Sequence, residues 1–420
     1  MALQVRKDSS DLISRALWLT SFLIVLMLAR SENPNSQLIG NWLSDSHRIL
    51  EGQLPATNWY GPTAAILMIP FTWVPNVFIA TIFYSLLGAN FYWLLTQEIP
   101  SKIGRAASRL LLISNIYLFR LLDSSGDTVF EFFLLTAFCY AIDRKKWLLF
   151  NVLGILLGEL RSAYWLIYLG ISVILLISQK RLGLKRLRFL FVFPALLSVL
   201  LFNSIAYGVF STAGEGGYTA FFTNNKSSYM VGNSFMVDNF AFGEAGPMNR
   251  RCEGLLKCQD RDLFKRTIQE NIENPQAFGF NLLQKFSIYF FEPQKVPRIP
   301  GEFFLHEEDN FIEIGAQRLS TSNLAASLAY FFYKSLFLIS FYFIAVFLLF
   351  LPREKRSQFL FSNKISFLTL PWLLGSVTGV LFVAETRLWI VMELVAIPSL
   401  VCYLVEIFQR LKGSFSNSNL

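Results

Sequence analysis

The sequence predicts an all-α polytopic membrane protein. It has about ten transmembrane helices, amphipathic helices on the outer face and a large mixed outer loop. Three observations carry this. Of the 420 residues, 54% are hydrophobic and only 16% are charged, against about 25% charged in an ordinary soluble domain. Apolar runs near the roughly twenty residues needed to cross a bilayer recur along the whole chain. The basic residues gather in short clusters between those runs, so the net charge of +8 orients a membrane protein and does not point to nucleic acid.

The apolar runs cover 12–29, 76–96, 106–121, 128–142, 147–160, 162–178, 189–208, 328–351, 365–383 and 388–408. The first is long and has no small-residue cleavage site, which predicts a retained span. Basic clusters follow in alternate gaps: Arg6, Lys7 and Arg15 at the start, Lys102, Arg105 and Arg109 after the second run, Arg144 to Lys146 after the fourth. Lys180 to Arg188, then Arg353 to Lys364, then Arg410 and Lys412 follow the sixth, eighth and tenth. All fall on one side, with both termini. The positive-inside rule makes that side cytoplasmic, as in a bacterial inner membrane. The stretch from Gly61 to Val74 is apolar but too short for a span, and a crossing there would invert every later cluster. It is expected at the membrane surface.

Three parts result: an N-terminal bundle (1–208) with a first outer loop (30–75), a large outer loop (209–327), and the C-terminal helices (328–420). Within the large loop, Asp262 to Phe291 has helical spacing of Leu263, Ile268, Ile272, Phe278, Leu282, Leu283 and Phe286. Pro275 divides it into two helices. Cys139 and Cys402 lie in apolar runs. Cys252 and Cys258 lie in the loop, as a disulfide or as two thiols.

Ionisable residues next to membrane spans are functional candidates, because burying a charge there is costly. On the outer side they recur in separate turns: Asp45, His47 and Arg48 in the first loop, Asp123, Asp127 and Glu131 around one turn, Arg161 at another, Glu385 and Arg387 at a third. A shared aqueous cleft explains the set better than interfacial caps do. Asp127 and Glu131 share a helix face. Glu159 and Glu393 lie deeper and read as structural pairs. His47 and His306 are the only histidines, too few for a zinc site, and carboxylate binding of a divalent metal stays open. No Walker loop, dinucleotide fingerprint or nucleophile elbow occurs. Chemistry on the outer face without nucleotides then calls for a substrate activated and delivered in another form, such as a lipid phosphate.

Several stretches together resemble the GT-C class of membrane glycosyltransferases, of the protein O-mannosyltransferase and lipid A aminoarabinose transferase type. They are SDSHRILEGQLP with Tyr60-Gly61-Pro62, the turn from Asp123 to Glu131, GILLGELRSAYW, SSYMVGNSF, FKRTIQENIENPQAFGFNLLQKFSIYF and ETRLWIVMELVAIPSL. The resemblance implies transfer of a sugar from a polyprenyl-phosphate donor to a lipid, glycan or protein acceptor on the outer face. It implies Asp45 or Asp127 as catalytic base and Arg161, Arg387 and Arg48 on the phosphate. Asp123, Glu131, His47 and Glu385 would support them. The family's usual Asp before the first-loop aromatic falls near Asn35 to Leu38, where this chain has no carboxylate, and Asp45 is its substitute. An outer-face polysaccharide polymerase or ligase, and a lipid-linked sugar flippase, are the alternatives. The flippase would call for paired halves, which the sequence lacks.

Overall fold

The computed structural model describes residues 2–29, 36–54, 62–74, 78–124, 126–178, 187–207, 212, 260–290, 311–314, 317–320, 324–352, 355–356, 366–381 and 390–417. Among them helices dominate. Five are long and apolar enough to cross a membrane: Asp11–Leu28, Phe78–Thr96, Leu187–Ile205, Phe331–Phe350 and Ile390–Leu411. A sixth is counted if Ile116–Asp123 and Asp127–Asp143, bent by 117°, form one broken span. These numbers fall short of ten. Three further apolar helices, Trp147–Leu160, Ala163–Ser178 and Phe367–Leu381, are shorter than the roughly twenty residues a full crossing needs.

The N-terminal bundle starts with α1 (Ala2–Leu28), α2 (Ser36–Leu50), α3 (Thr63–Met68) and α4 (Phe78–Thr96). Trp18 of α1 donates its indole N–H to the Ala89 carbonyl at 3.3 Å, and Arg15 Nε donates to Asn90 Oδ1 at 2.7 Å. The expected span 106–121 is divided. Ser101 caps α5 (Lys102–Ile113) by accepting from the Gly104 N–H at 3.2 Å. Asn115 Oδ1 accepts from the Leu118 N–H at 3.1 Å and starts α6 (Ile116–Ser124). Two N-terminal caps fourteen residues apart, at Ser101 and Asn115, cannot lie inside one straight helix, because each cap residue sits where helical hydrogen bonding begins.

From Gly126 the chain returns in α7 (Gly126–Asp143), followed by α8 (Trp147–Leu160) and α9 (Ala163–Ser178). The α8–α9 contact is close. A Cβ on Gly154 would lie 2.6 Å from the Tyr168 ring, and one on Gly158 would lie 2.5 Å from the Trp165 indole. Small residues let the two backbones approach and the aromatics fill the contact. α10 (Val192–Tyr207) completes this half.

Contacts gather the basic residues at one end of the bundle. Arg144 pairs with Glu98 at 2.7 Å, joining the turn after α7 to the turn after α4. Arg105 donates to the Ile99 carbonyl, and Arg109 lies 3.1 Å from the Trp93 ring centroid. Arg188 lies over Trp147 at 4.8 Å. The opposite ends of α7 and α8 carry Asp127 and Arg161.

In the large loop, the division at Pro275 holds: α11 is Asp260–Glu273 and α12 is Pro275–Phe290. The expected apolar face, however, points outward. Ile268, Ile272, Leu283 and Phe286 are exposed, while Thr267, Asn281 and Lys285 are buried. A short antiparallel hairpin pairs β1 (Phe311–Ile314) with β2 (Gln317–Ser320). The C-terminal part contains α13 (Leu324–Phe350), α14 (Leu370–Leu381) and α15 (Ile390–Asn417). Phe290, at the end of α12, packs on Phe341 and Trp372 and so ties the loop to α13 and α14.

Candidate functional site

The site is built where α7 begins and α8 ends. Asp127 is in the first turn of α7, where free backbone N–H groups and the helix dipole favour a carboxylate. Glu131 lies one turn further on the same face. Arg161 is the residue after α8; its backbone is extended and its N–H returns to the Leu157 carbonyl. That break turns the guanidinium back toward α7. One of its terminal nitrogens pairs with Asp127 Oδ2, and the other lies 3.0 Å from Glu131 Oε2. The Tyr164 hydroxyl, in the first turn of α9, donates to Glu131 Oε1. Four side chains from three helices thus form one connected group. Glu131 and Tyr164 are fully buried, Asp127 is nearly so, and Arg161 keeps the most exposure of the four.

The first loop lies against this group. α2 places Trp42, Asp45 and Ser46 on one buried face. Trp42 meets the ring of Phe130 edge-on at 5.6 Å, and Phe130 sits between Asp127 and Glu131 in the sequence of α7. Ser46 Oγ donates to the Trp42 or Ala65 carbonyls, at 2.7 and 2.6 Å, which holds α2 onto α3. Asp45 is buried on the same face of α2, one turn from Trp42. The segment after Gly61 forms only the six residues of α3 and a single 3-10 turn (Ile69–Phe71), far too short to cross. Its Thr63, Ala64, Ala65 and Met68 are buried, so it packs on the bundle as well as closing the loop.

The other expected members are placed as follows. Arg48 Nε donates to the Leu54 carbonyl at 3.0 Å and braces the turn that ends α2, where Gly52 takes a φ of +75°. That left-handed position is where glycine terminates a helix without strain. His47 is exposed, since α2 buries the face two residues away. Asp123 is buried at the end of α6, one turn after the half-buried Arg120. Glu385 and Arg387 lie outside the described residues, as do Tyr60, Gly61, the stretch 227–235, Cys252, Cys258 and His306. Among the described residues no group of three or more His, Cys, Asp or Glu side chains could hold a metal ion.

Sequence reasoning missed Tyr164 and Arg120. A tyrosine in an apolar run gives no polar signal until its partner is known. Arg120 lies inside an expected span, one residue from its end, and could have been flagged as a charge near the outer turn.

Chemically, the group has two carboxylates and one guanidinium. Arg161 offers positive charge to both carboxylates. Glu131 is enclosed by Arg161 and Tyr164, so it fixes the arginine. Asp127 is the more exposed of the two carboxylates. The arrangement can accept a proton at Asp127 or orient a polar group against it. The chain matches no known family model, and neither the curated proteins nor the solved structures contain a similar chain.

Proposed function

We propose that the protein is a membrane glycosyltransferase that moves a sugar from a polyprenyl-phosphate donor to an acceptor on the outer face of a bacterial inner membrane. Both termini on the cytoplasmic side complete this reading. The short helices α7, α8 and α9 then leave their common end, with Asp127 and Arg161, recessed below the outer surface. The observation that carries the proposal is this buried Asp127–Arg161–Glu131–Tyr164 group, opposite the basic end of the bundle, with α2 and α3 laid over it.

In the reaction an acceptor hydroxyl attacks the anomeric carbon. The bond from that carbon to the phosphate oxygen breaks, and its electron pair leaves with the lipid phosphate. The hydroxyl proton passes to a carboxylate, Asp45 or Asp127. General-base assistance of this kind contributes about 10²–10⁴-fold. Arg387 and Arg161 supply positive charge for the departing phosphate, as bidentate donors do for phosphates generally. Arg161 is already engaged by two carboxylates, so in the resting site it positions Asp127, and the phosphate falls chiefly to other cations.

The test is transfer from a prenyl-linked sugar pool by full-length protein carrying Asp45→Ala, Asp127→Ala or Arg387→Ala. Losses of about 100-fold or more are expected for the operative base. Full transfer by all three folded variants would sink the mechanism.

A further inference from the structure

The turn between α7 and α8 carries three consecutive basic residues, Arg144, Lys145 and Lys146, all exposed. It closes α7 with two returning bonds. The Lys145 N–H donates to the Ile142 carbonyl at 3.0 Å, and the Lys146 N–H to the Ala141 carbonyl at 2.8 Å. Lys145 sits in the left-handed region, with a φ of 55°. Glycine usually fills such a position, as Gly52 does at the end of α2. A lysine there adds the steric cost of a Cβ, although its two neighbours already supply positive charge. A fourth cation joins from another element. Arg188, in the turn that leads into α10, lies over the Trp147 ring at 4.8 Å and the Phe189 ring at 5.3 Å. Phe189 meets Trp147 edge-on at 4.8 Å, so the two segments are packed together. Arg188 Nε has no hydrogen-bond partner among the described residues. The acids beside the turn, Glu98 and Asp143, both pair with Arg144, at 2.7 and 3.1 Å. Among the described residues, Lys145, Lys146 and Arg188 are therefore left with positive charge that no carboxylate neutralises.

We infer that the α7–α8 turn and the start of α10 form a binding site for an anionic phospholipid, with Lys145, Lys146 and Arg188 on its headgroup phosphate. An arginine laid flat on aromatic rings keeps its planar N–H edge for a phosphate. Orientation in the membrane calls for basic residues at this end, but neither for one in left-handed backbone nor for an arginine held on two rings. A lipid fits better than a free anion because charge gives way to hydrocarbon within one turn. The next exposed residues are Leu148 and Val152 on α8, and Phe191 and Phe193 at the start of α10. They provide an outward apolar strip for an acyl chain, and Trp147 stands at the boundary, where tryptophan is enriched in membrane proteins. A zwitterionic headgroup brings its own cation among these basic side chains, so the site prefers a net negative lipid. The site lies at the basic end of the bundle, away from Asp127 and Arg161, and is independent of the transferase reading.

The experiment uses purified full-length protein in a neutral detergent. Thermal stabilisation is followed as phosphatidylglycerol, phosphatidylcholine or inorganic phosphate is titrated. Phosphatidylglycerol should stabilise the wild-type protein most, and less so at high salt. Lys145→Gly and Arg188→Gln should each weaken its apparent binding about fivefold, the effect of one basic side chain on an anionic lipid. Lys145→Gly suits the backbone, because glycine takes a positive φ without strain, so its loss of binding cannot be put down to a damaged fold. Each variant is compared with itself without lipid, which removes any change in intrinsic stability. Wild-type affinity in both variants would overturn the assignment. So would equal stabilisation by the two phospholipids. Inorganic phosphate acting as strongly as phosphatidylglycerol would mark a site for free anions and would overturn it too.

Discussion

Lys334 and Glu393 form an ion pair between α13 and α15 with side chains 1% and 0% exposed. It is the pair whose disruption has the most definite consequence. Its surroundings are aromatic: Lys334 Nζ is 5.9 Å from the Phe337 centroid, and Phe337 packs on Trp372 at 5.0 Å. Neither charge can reach water without opening the contact. Removing one partner leaves the other buried and uncompensated, which costs about 3–5 kcal/mol. Lys334→Met and Glu393→Leu should therefore each destabilise the C-terminal helices by about that amount. The double variant replaces both charges with side chains that pack. It should lie within about 1 kcal/mol of wild type or be more stable, because apolar replacements of buried pairs range from neutral to about 4 kcal/mol stabilising. The assay is equilibrium unfolding in mixed detergent micelles, run as a double-mutant cycle. A double variant as unstable as the sum of the two single variants would show that the charges do not compensate each other, and the reasoning would fail.

Other consequences follow from the site and its supports. Tyr164→Phe leaves buried Glu131 Oε1 without its donor and should cost about 1–3 kcal/mol; unchanged stability would mean that the carboxylate is satisfied in another way. Gly158→Ala forces a methyl to within 2.5 Å of the Trp165 indole and should cost about 1–3 kcal/mol. By displacing α8 from α9 it should also lower activity, which a transfer assay would register. Lys285 has a pKa of about 7 in the folded chain and an ordinary value of 10.5, so between those values the unfolded chain binds more protons. Stability should rise with pH through that window, and the penalty is complete below it. Unfolding midpoints at pH 6.5 and 9 should differ less in Lys285→Met than in wild type; an equal difference would place the titrating group elsewhere.

Much of the architecture is written locally. The apolar run 76–96 becomes Phe78–Thr96, and the run 147–160 becomes α8 with the same bounds. Pro275 separates α11 from α12, since a proline has no N–H to offer inside a helix but is at home in its first turn. The Leu-x-Gly at residues 50–52 ends α2 because Gly52 can take a positive φ. The break between α5 and α6 was as local but hidden: Asn115 gives a cap signal inside an apolar run, and hydrophobicity alone passes over it.

The sequence alone determined that this chain is a helical membrane protein, where its charges cluster, and that Asp127 and Arg161 stand at the ends of helices. Tertiary structure alone decided that Arg161 meets Asp127 and Glu131, about thirty residues away, and that Lys334 meets Glu393 across 59. It also decided which faces point inward. Helical spacing announces an apolar face on α12 but does not say whether lipid or protein lies beyond it. Side-chain periodicity is a property of one helix, whereas the medium on each side of that helix is set by its neighbours.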